Sequence, residues 1–338
     1  MKRKGKKTGA FFSLVVIGII IMFFLALLHI RIGMSDITYE TVFKAIFQND
    51  ASKAHLIISS IRFPRVLLCL IIGASMAMAG MMIQQITNNP LASPQVLGVN
   101  AGASLAVVTM IMFFPSSSYF MRIIVAFIGA GVIGSLVQGI AYIKRLNILE
   151  LSLLGLSVQM LLSAIIKAFM LLNESKTSDL LFWMSGSVQQ AQMNHIRLLL
   201  PWFIIAFVLS MIIGRSLDTL KLGDQVATSL GTSVSLIKGI GIVSVILLAG
   251  SSVAIAGPVA FIGLIIPHLI YKFNLISFRS QFILCGIYGS NLLLLADIIA
   301  KLLKYPYESP VGIVTSFLGA AFYIALFNRQ RKRGVAND

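Results

Sequence analysis

From Phe11 to Leu28 the chain runs eighteen residues without a charge. At a rise of 1.5 Å per residue, about 20 apolar residues cross the ~30 Å hydrocarbon core of a bilayer. The run does not alternate apolar and polar residues, so it reads as a helix and not as a barrel strand. Runs of this kind recur along the 338 residues. The chain is 58% hydrophobic and 11% charged, with a mean hydropathy of +0.94; a soluble domain carries about 25% charged residues. Most of this surface must face lipid or other helices, and in lipid the backbone is satisfied only in helices or closed barrels.

Ten candidate spans follow, at 11–30, 62–85, 95–114, 121–143, 150–172, 197–214, 238–257, 259–272, 282–300 and 310–327. The expected fold class is all-α, a polytopic membrane protein forming one transmembrane domain over 1–338. The basic start, Lys2 to Lys7, fits the head of a signal peptide. The apolar run behind it is too long for one, so the first span is read as retained. An even number of spans puts both termini on one side. With the termini cytoplasmic, the cytoplasmic pieces (1–10, 144–150, 215–238, 272–281 and 328–338) hold 16 of the 27 Lys and Arg but 4 of the 11 acids. The net charge of +16 is therefore read as positive-inside topology with cytoplasmic termini, with basic tails beside anionic lipid, and not as nucleic-acid binding.

Catalysis finds little support. His29, His55, His195 and His268 are far apart, Cys69 and Cys285 sit in apolar runs without metal-ligand or redox spacing, and no phosphate-binding loop is present. No catalytic residue, metal or cofactor is expected, and any nucleotide chemistry must lie on another chain. Asp297 is the one acid well inside a span, with Lys301 four residues on, where the two can pair on one helix face. Ion-coupled carriers bury several ionisable groups at mid-membrane, which makes an ion-coupled secondary transporter the weaker alternative.

Three segments break the helical pattern. Gln84 to Pro94 holds two asparagines and two prolines, including Asn89-Pro90, and cannot continue a helix. Leu222 to Gly231 reads as a short helix capped by Asp224 and ended by Gly231, offering Val226, Ala227 and Leu230 as an apolar docking face. Gly257-Pro258 is expected to form a tight external turn, with Pro267 kinking or ending the next span and His268 at its cytoplasmic end. Gly73–Gly80 also matches Gly250–Gly257 at five of eight positions, as an inverted repeat would.

Together with Ile61-Arg62-Phe63-Pro64-Arg65, Leu97-Gly98, Trp183 to Ser187, Ala296-Asp297 and Ser309 to Gly312, these segments resemble, in order, the FecCD family of ABC-importer permeases. The resemblance implies a BtuC-like, type II importer fold and import of a ferric siderophore, a ferric hydroxamate among the candidates, with heme or vitamin B12 as alternatives. It implies three partners: a cytoplasmic ABC ATPase on the coupling loop (Gly223, Asp224, Ala227, Leu230, Gly231), a substrate-binding protein docking at Arg62, Arg65 and Lys301, and a second permease subunit, identical or paralogous. It makes the fifth span, Leu151 to Leu172, a wall of the pathway and Asn89, Pro90, Gly257, Pro258, Pro267 and His268 pathway or gating positions. Lys301 stands where some relatives have arginine, and Ser309 where leucine is usual.

Overall fold

A computed structural model describes residues 2–33, 53–90, 92–95, 98–144, 146, 148–172, 180–273, 275, 277–303 and 307–334. Among them the regular structure is entirely helical. In chain order the helices are α1 (Lys2–Arg31), α2 (Phe63–Thr87), α3 (Val99–Phe113), α4 (Tyr119–Lys144), α5 (Ile148–Leu172), α6 (Met193–Leu220), the short α7 (Asp224–Ser229), α8 (Val234–Val245), α9 (Ser251–Ala256), α10 (Ile262–Tyr271), α11 (Phe278–Leu303) and α12 (Val311–Gly334). A π turn, Ile246–Gly250, joins α8 to α9. Seven helical stretches are long and apolar enough to cross a membrane, and Val99–Phe113, Ile262–Tyr271 and Val311–Leu326 are shorter apolar helices. Each of the ten expected spans thus corresponds to a helix. The second is longer than expected, because a helical turn at Lys53–Ile57 and a π turn at Ile58–Arg62 lead straight into α2. Residues 34–52 of the first external connection, 173–179 of the later one, and Leu91 and Leu97 lie outside the described residues.

α2 is the axis of the bundle. Its most apolar window is 83% buried, against 11% for that of α1. Small residues make this possible. A Cβ on Gly73 would stand 2.4 Å from the Gly289 carbonyl oxygen of α11, and one on Gly80 would run into the Gly263 carbonyl of α10, so backbones meet with nothing between them. Gly102 and Gly129 join α3 to α4 in the same way. Gly131 and Gly139, on α4 with Gly129, face open space, so packing explains only part of that glycine run. The outer helices turn Phe12, Phe23 and Phe24 of α1, Ile128 and Val132 of α4, and Met160 and Leu161 of α5 outward, as lipid-facing surfaces require.

α10 departs from expectation. Residues 257–260 are extended and do not close a turn, with Gly257 at φ 71° and ψ −175°, a conformation open essentially to glycine alone. Pro267 does not end the helix, which runs on to Tyr271. Proline has no N–H for the carbonyl four residues back, which is that of Gly263. The Gln84 side chain of α2 donates to that oxygen instead, at 3.4 Å. The two repeat copies lie on segments running in opposite directions: α2 ends near the last turn of α6, where the segment leading into α8 begins. Their glycines have different partners, since Gly250 faces Phe127 and Gly257 faces Trp183.

Candidate translocation pathway and docking sites

Arg62, Arg65 and Lys301 are all buried, at 6%, 4% and 4% exposure. Arg62 reaches the end of α1, donating to the carbonyls of Ile30 at 2.5 Å and Arg31 at 2.9 Å, which the helix itself leaves unsatisfied. Arg65 grips Asp297 with both arms of its fork, Nε to Oδ2 at 2.7 Å and Nη2 to Oδ1 at 2.9 Å. Its remaining nitrogen, Nη1, donates to Glu308 at 2.5 Å. Asp297 does not wait for Lys301 across one helix turn. His29 stands between them, with Nε2 2.6 Å from Asp297 Oδ2 and Nδ1 3.2 Å from Lys301 Nζ. An ammonium can only donate, so Nδ1 accepts and the proton sits on Nε2, facing the carboxylate. Lys301 also donates to the His29 carbonyl at 3.1 Å. The chain Glu308–Arg65–Asp297–His29–Lys301 therefore ties α1, α2 and α11 together. Cys69 lies close enough that its sulfur, His29 and Asp297 have ligand atoms within 4.8 Å of one another. A bound cation there would face Arg65 and Lys301, which already occupy the carboxylate and Nδ1, so the group is built as an ion-pair network and not as a metal site.

The segment 180–187 makes the second junction. A Cβ on Gly257 would stand 2.0 Å from the Trp183 carbonyl oxygen, and one on Gly312 2.0 Å from that of Ser185. Ser187 N–H donates to the Ala256 carbonyl at 2.8 Å and Gly312 N–H to that of Gly186 at 3.0 Å. Three stretches remote in sequence are thus stitched backbone to backbone. Beside them opens a cleft of about 460 Å³ lined by the polar Gln95, Asn100, Ser104, Gln159, Ser163 and Ser316 together with apolar residues such as Ile166, Met184 and Ile313, with Pro258 at its wall and, among the described residues, no charged side chain. Among the described residues, Asn100 Oδ1 and Ser104 Oγ are buried without a hydrogen-bond partner.

At the other end, α2 stops at Thr87 because Asn88 turns left-handed (φ 49°). Gln85 donates to the Leu217 carbonyl at 3.1 Å and Asn88 to that of Leu220 at 3.3 Å. The Asn89-Pro90 turn is therefore pinned to the last turn of α6, immediately before α7. There Gly223, not Asp224, holds the N-cap position, and Asp224 pairs with Lys238 at 2.6 Å. Gly231, at φ 81°, ends the helix, where the Thr232 N–H donates to the Ala227 carbonyl at 2.9 Å. Ala227 turns inward and is fully buried, so the exposed apolar face is Leu222, Val226 and Leu230. His268 packs edge-on against Phe322 of α12 at 5.7 Å.

The sequence profile of the FecCD transport family matches residues 17–329, nearly the whole of this architecture. The chain belongs to the FecCD transport family. It is 38% identical over 328 residues to the Fe(3+)-citrate import system permease protein YfmD of Bacillus subtilis (strain 168), covering 96% of this chain and 97% of that one. It is 36% identical over 310 residues to the iron(3+)-hydroxamate import system permease protein FhuB of the same organism, covering 91% and 80%. Its fold matches a solved structure described as an inward-facing conformation of a metal-chelate type ABC transporter, with TM-score 0.81, 23% identity and coverage of 95% and 99%. This FecCD protein is a multi-pass membrane permease, a transport component and not an enzyme. The sequence reading missed His29, a lone histidine near the end of the first span. Its only signal was its match in depth to the lone intramembrane Asp297, which ten unplaced helices do not reveal.

Proposed function

We propose that this chain is the membrane-spanning subunit of an ATP-driven importer that carries a ferric siderophore across a bacterial cytoplasmic membrane, with both termini on the cytoplasmic side. Two permease subunits pair around a central path, one ATPase docks on the face around Gly223–Gly231, and a substrate-binding protein docks at the end of the bundle where Glu308 is partly exposed. Arg62, Arg65 and Lys301, expected from the sequence to make that contact, are buried and bonded within the chain, so they brace this end and do not face the partner. The observation that carries the coupling is the pair of hydrogen bonds from Gln85 and Asn88 to the final turn of α6. Force applied to Leu222, Val226 and Leu230 reaches the Asn89-Pro90 turn through them, and a rigid-body shift of helices suffices to alternate access. The cleft lining supports the cargo assignment. Among the described residues it offers amides and hydroxyls between apolar side chains and no cation, which suits an uncharged chelate such as a ferric trihydroxamate better than an anionic citrate complex.

Val226→Asp with Leu230→Asp tests the docking face. Both side chains are exposed, at 45% and 62%, so the thermal midpoint should hold while ATPase co-purification and ATP-driven uptake in proteoliposomes are lost. Retention of the ATPase would refute the assignment. Cysteine at Leu230 should label only from the cytoplasmic face, and Cys69 and Cys285, both buried, leave a clean background.

A further inference from the structure

On the far side of the 180–184 helical turn from the pathway cleft lies a second cavity, of about 380 Å³, between the α3–α4 connection and the start of α6. Its wall includes His195, 2% exposed, whose two ring nitrogens have no hydrogen-bond partner among the described residues. A buried imidazole with both nitrogens open is costly unless something in the cavity meets it. Tyr119 lies against its ring, with centroids 4.1 Å apart, and the Arg122 guanidinium sits 4.8 Å from the Tyr119 centroid. Among the described residues Arg122 makes two long bonds, 3.4 Å each, to Ser117 Oγ and the Pro115 carbonyl. Among the described residues no carboxylate lines the cavity; Gln190 and Ser187 add further donors, and the rest of that lining is aliphatic, aromatic or proline. The described lining thus sets the Arg122 cation among donors, facing apolar walls. Phe113, Phe114 and Phe120, all strongly exposed, stand on the α3–α4 connection beside it, where aromatic rings seat at a membrane–water interface.

We propose that this cavity is a binding site for a phosphate oxyanion carried on an apolar body, held by Arg122, His195 and Tyr119, and that its source is the headgroup of an anionic phospholipid. A guanidinium matches phosphate oxygens with its planar fork, and His195 presents an N–H beside it. The apolar walls take the glycerol and the first carbons of the chains. The occupant also touches transport, because Trp183 and Ser187 line the cavity and are the residues joined to Gly257 and Ala256. Filling the cavity steadies the wall of the pathway from behind.

The test uses the full chain in detergent with Trp202→Phe, which leaves Trp183 as the sole tryptophan, and follows its emission. Short-chain phosphatidylglycerol and inorganic phosphate are titrated separately. A saturable change with phosphatidylglycerol is expected, weakened roughly tenfold or more by Arg122→Gln and by His195→Phe, as for loss of a hydrogen bond to a charged group. Saturation by the lipid but not by inorganic phosphate assigns the headgroup. Saturation by inorganic phosphate with the same Arg122 dependence keeps the oxyanion site and replaces the lipid as its source. Absence of saturation with either probe, or affinities indifferent to both substitutions, overturns the proposal and leaves a hydrated cavity. Should Arg122→Gln fail to fold, Arg122→Lys keeps the charge and loses the fork, and a several-fold weakening is expected; an unchanged affinity there overturns the forked contact.

Discussion

Asp297→Asn removes one negative charge from the centre of the network joining α1, α2 and α11. The carboxylate is 1% exposed and receives three donors, two from Arg65 and one from His29. Without its charge, Arg65 and Lys301 remain buried with, among the described residues, Glu308 as their counter-charge, itself 23% exposed. Breaking a buried ion pair from one side costs about 3–5 kcal/mol, because a charge is left without compensation. At about 2 °C per kcal/mol for a chain of this size, the thermal midpoint in detergent should fall by roughly 6–10 °C. Arg65→Met combined with Asp297→Leu leaves no orphaned partner within the pair, so the double variant should lose far less than the sum of the single variants, with a coupling of about 1–3 kcal/mol. The assay is thermal unfolding of Asp297→Asn, of the two single variants Arg65→Met and Asp297→Leu, of their double and of the parent, read by tryptophan emission. A midpoint for Asp297→Asn within a degree of the parent, or additive losses in the double variant, would refute the account of these residues as one network.

Gly257→Ala should cost about 1–3 kcal/mol through backbone strain alone, and more through the clash with the Trp183 carbonyl; uptake should fall sharply, while Gly131→Ala, in open space, should leave uptake and midpoint at or above the parent values. Gln84→Leu should lower stability by about 1 kcal/mol by orphaning the Gly263 carbonyl, and far less in a Pro267→Ala background, where residue 267 supplies its own N–H; equal losses in both backgrounds would disprove the substitution of one donor for the other.

Several site features were legible in the chain and several were not. Asn88 to Pro94 announced a break because proline and asparagine have local backbone requirements, and α2 does stop at Thr87. Gly231 announced a helix end for the same kind of reason. Asp224 misled, since a side chain that caps well in isolation was drawn away by Lys238, fourteen residues on. Ala227 was placed on the wrong face because a six-residue helix carries too few positions for its periodicity to say which side is covered. Lys301 and Asp297 have the right spacing to pair, yet burial brought His29 between them.

The sequence alone settled the solvent of this protein, its helical character and the places of its long apolar spans, since each follows from the hydropathy and backbone preferences of a short stretch. Which helix lies at the centre, which charges neutralise one another and where donors stand unpaired were decided only by tertiary packing. Those depend on contacts between residues as far as 274 positions apart, and almost every helix here is apolar on all sides, so no stripe on any one of them names its neighbour.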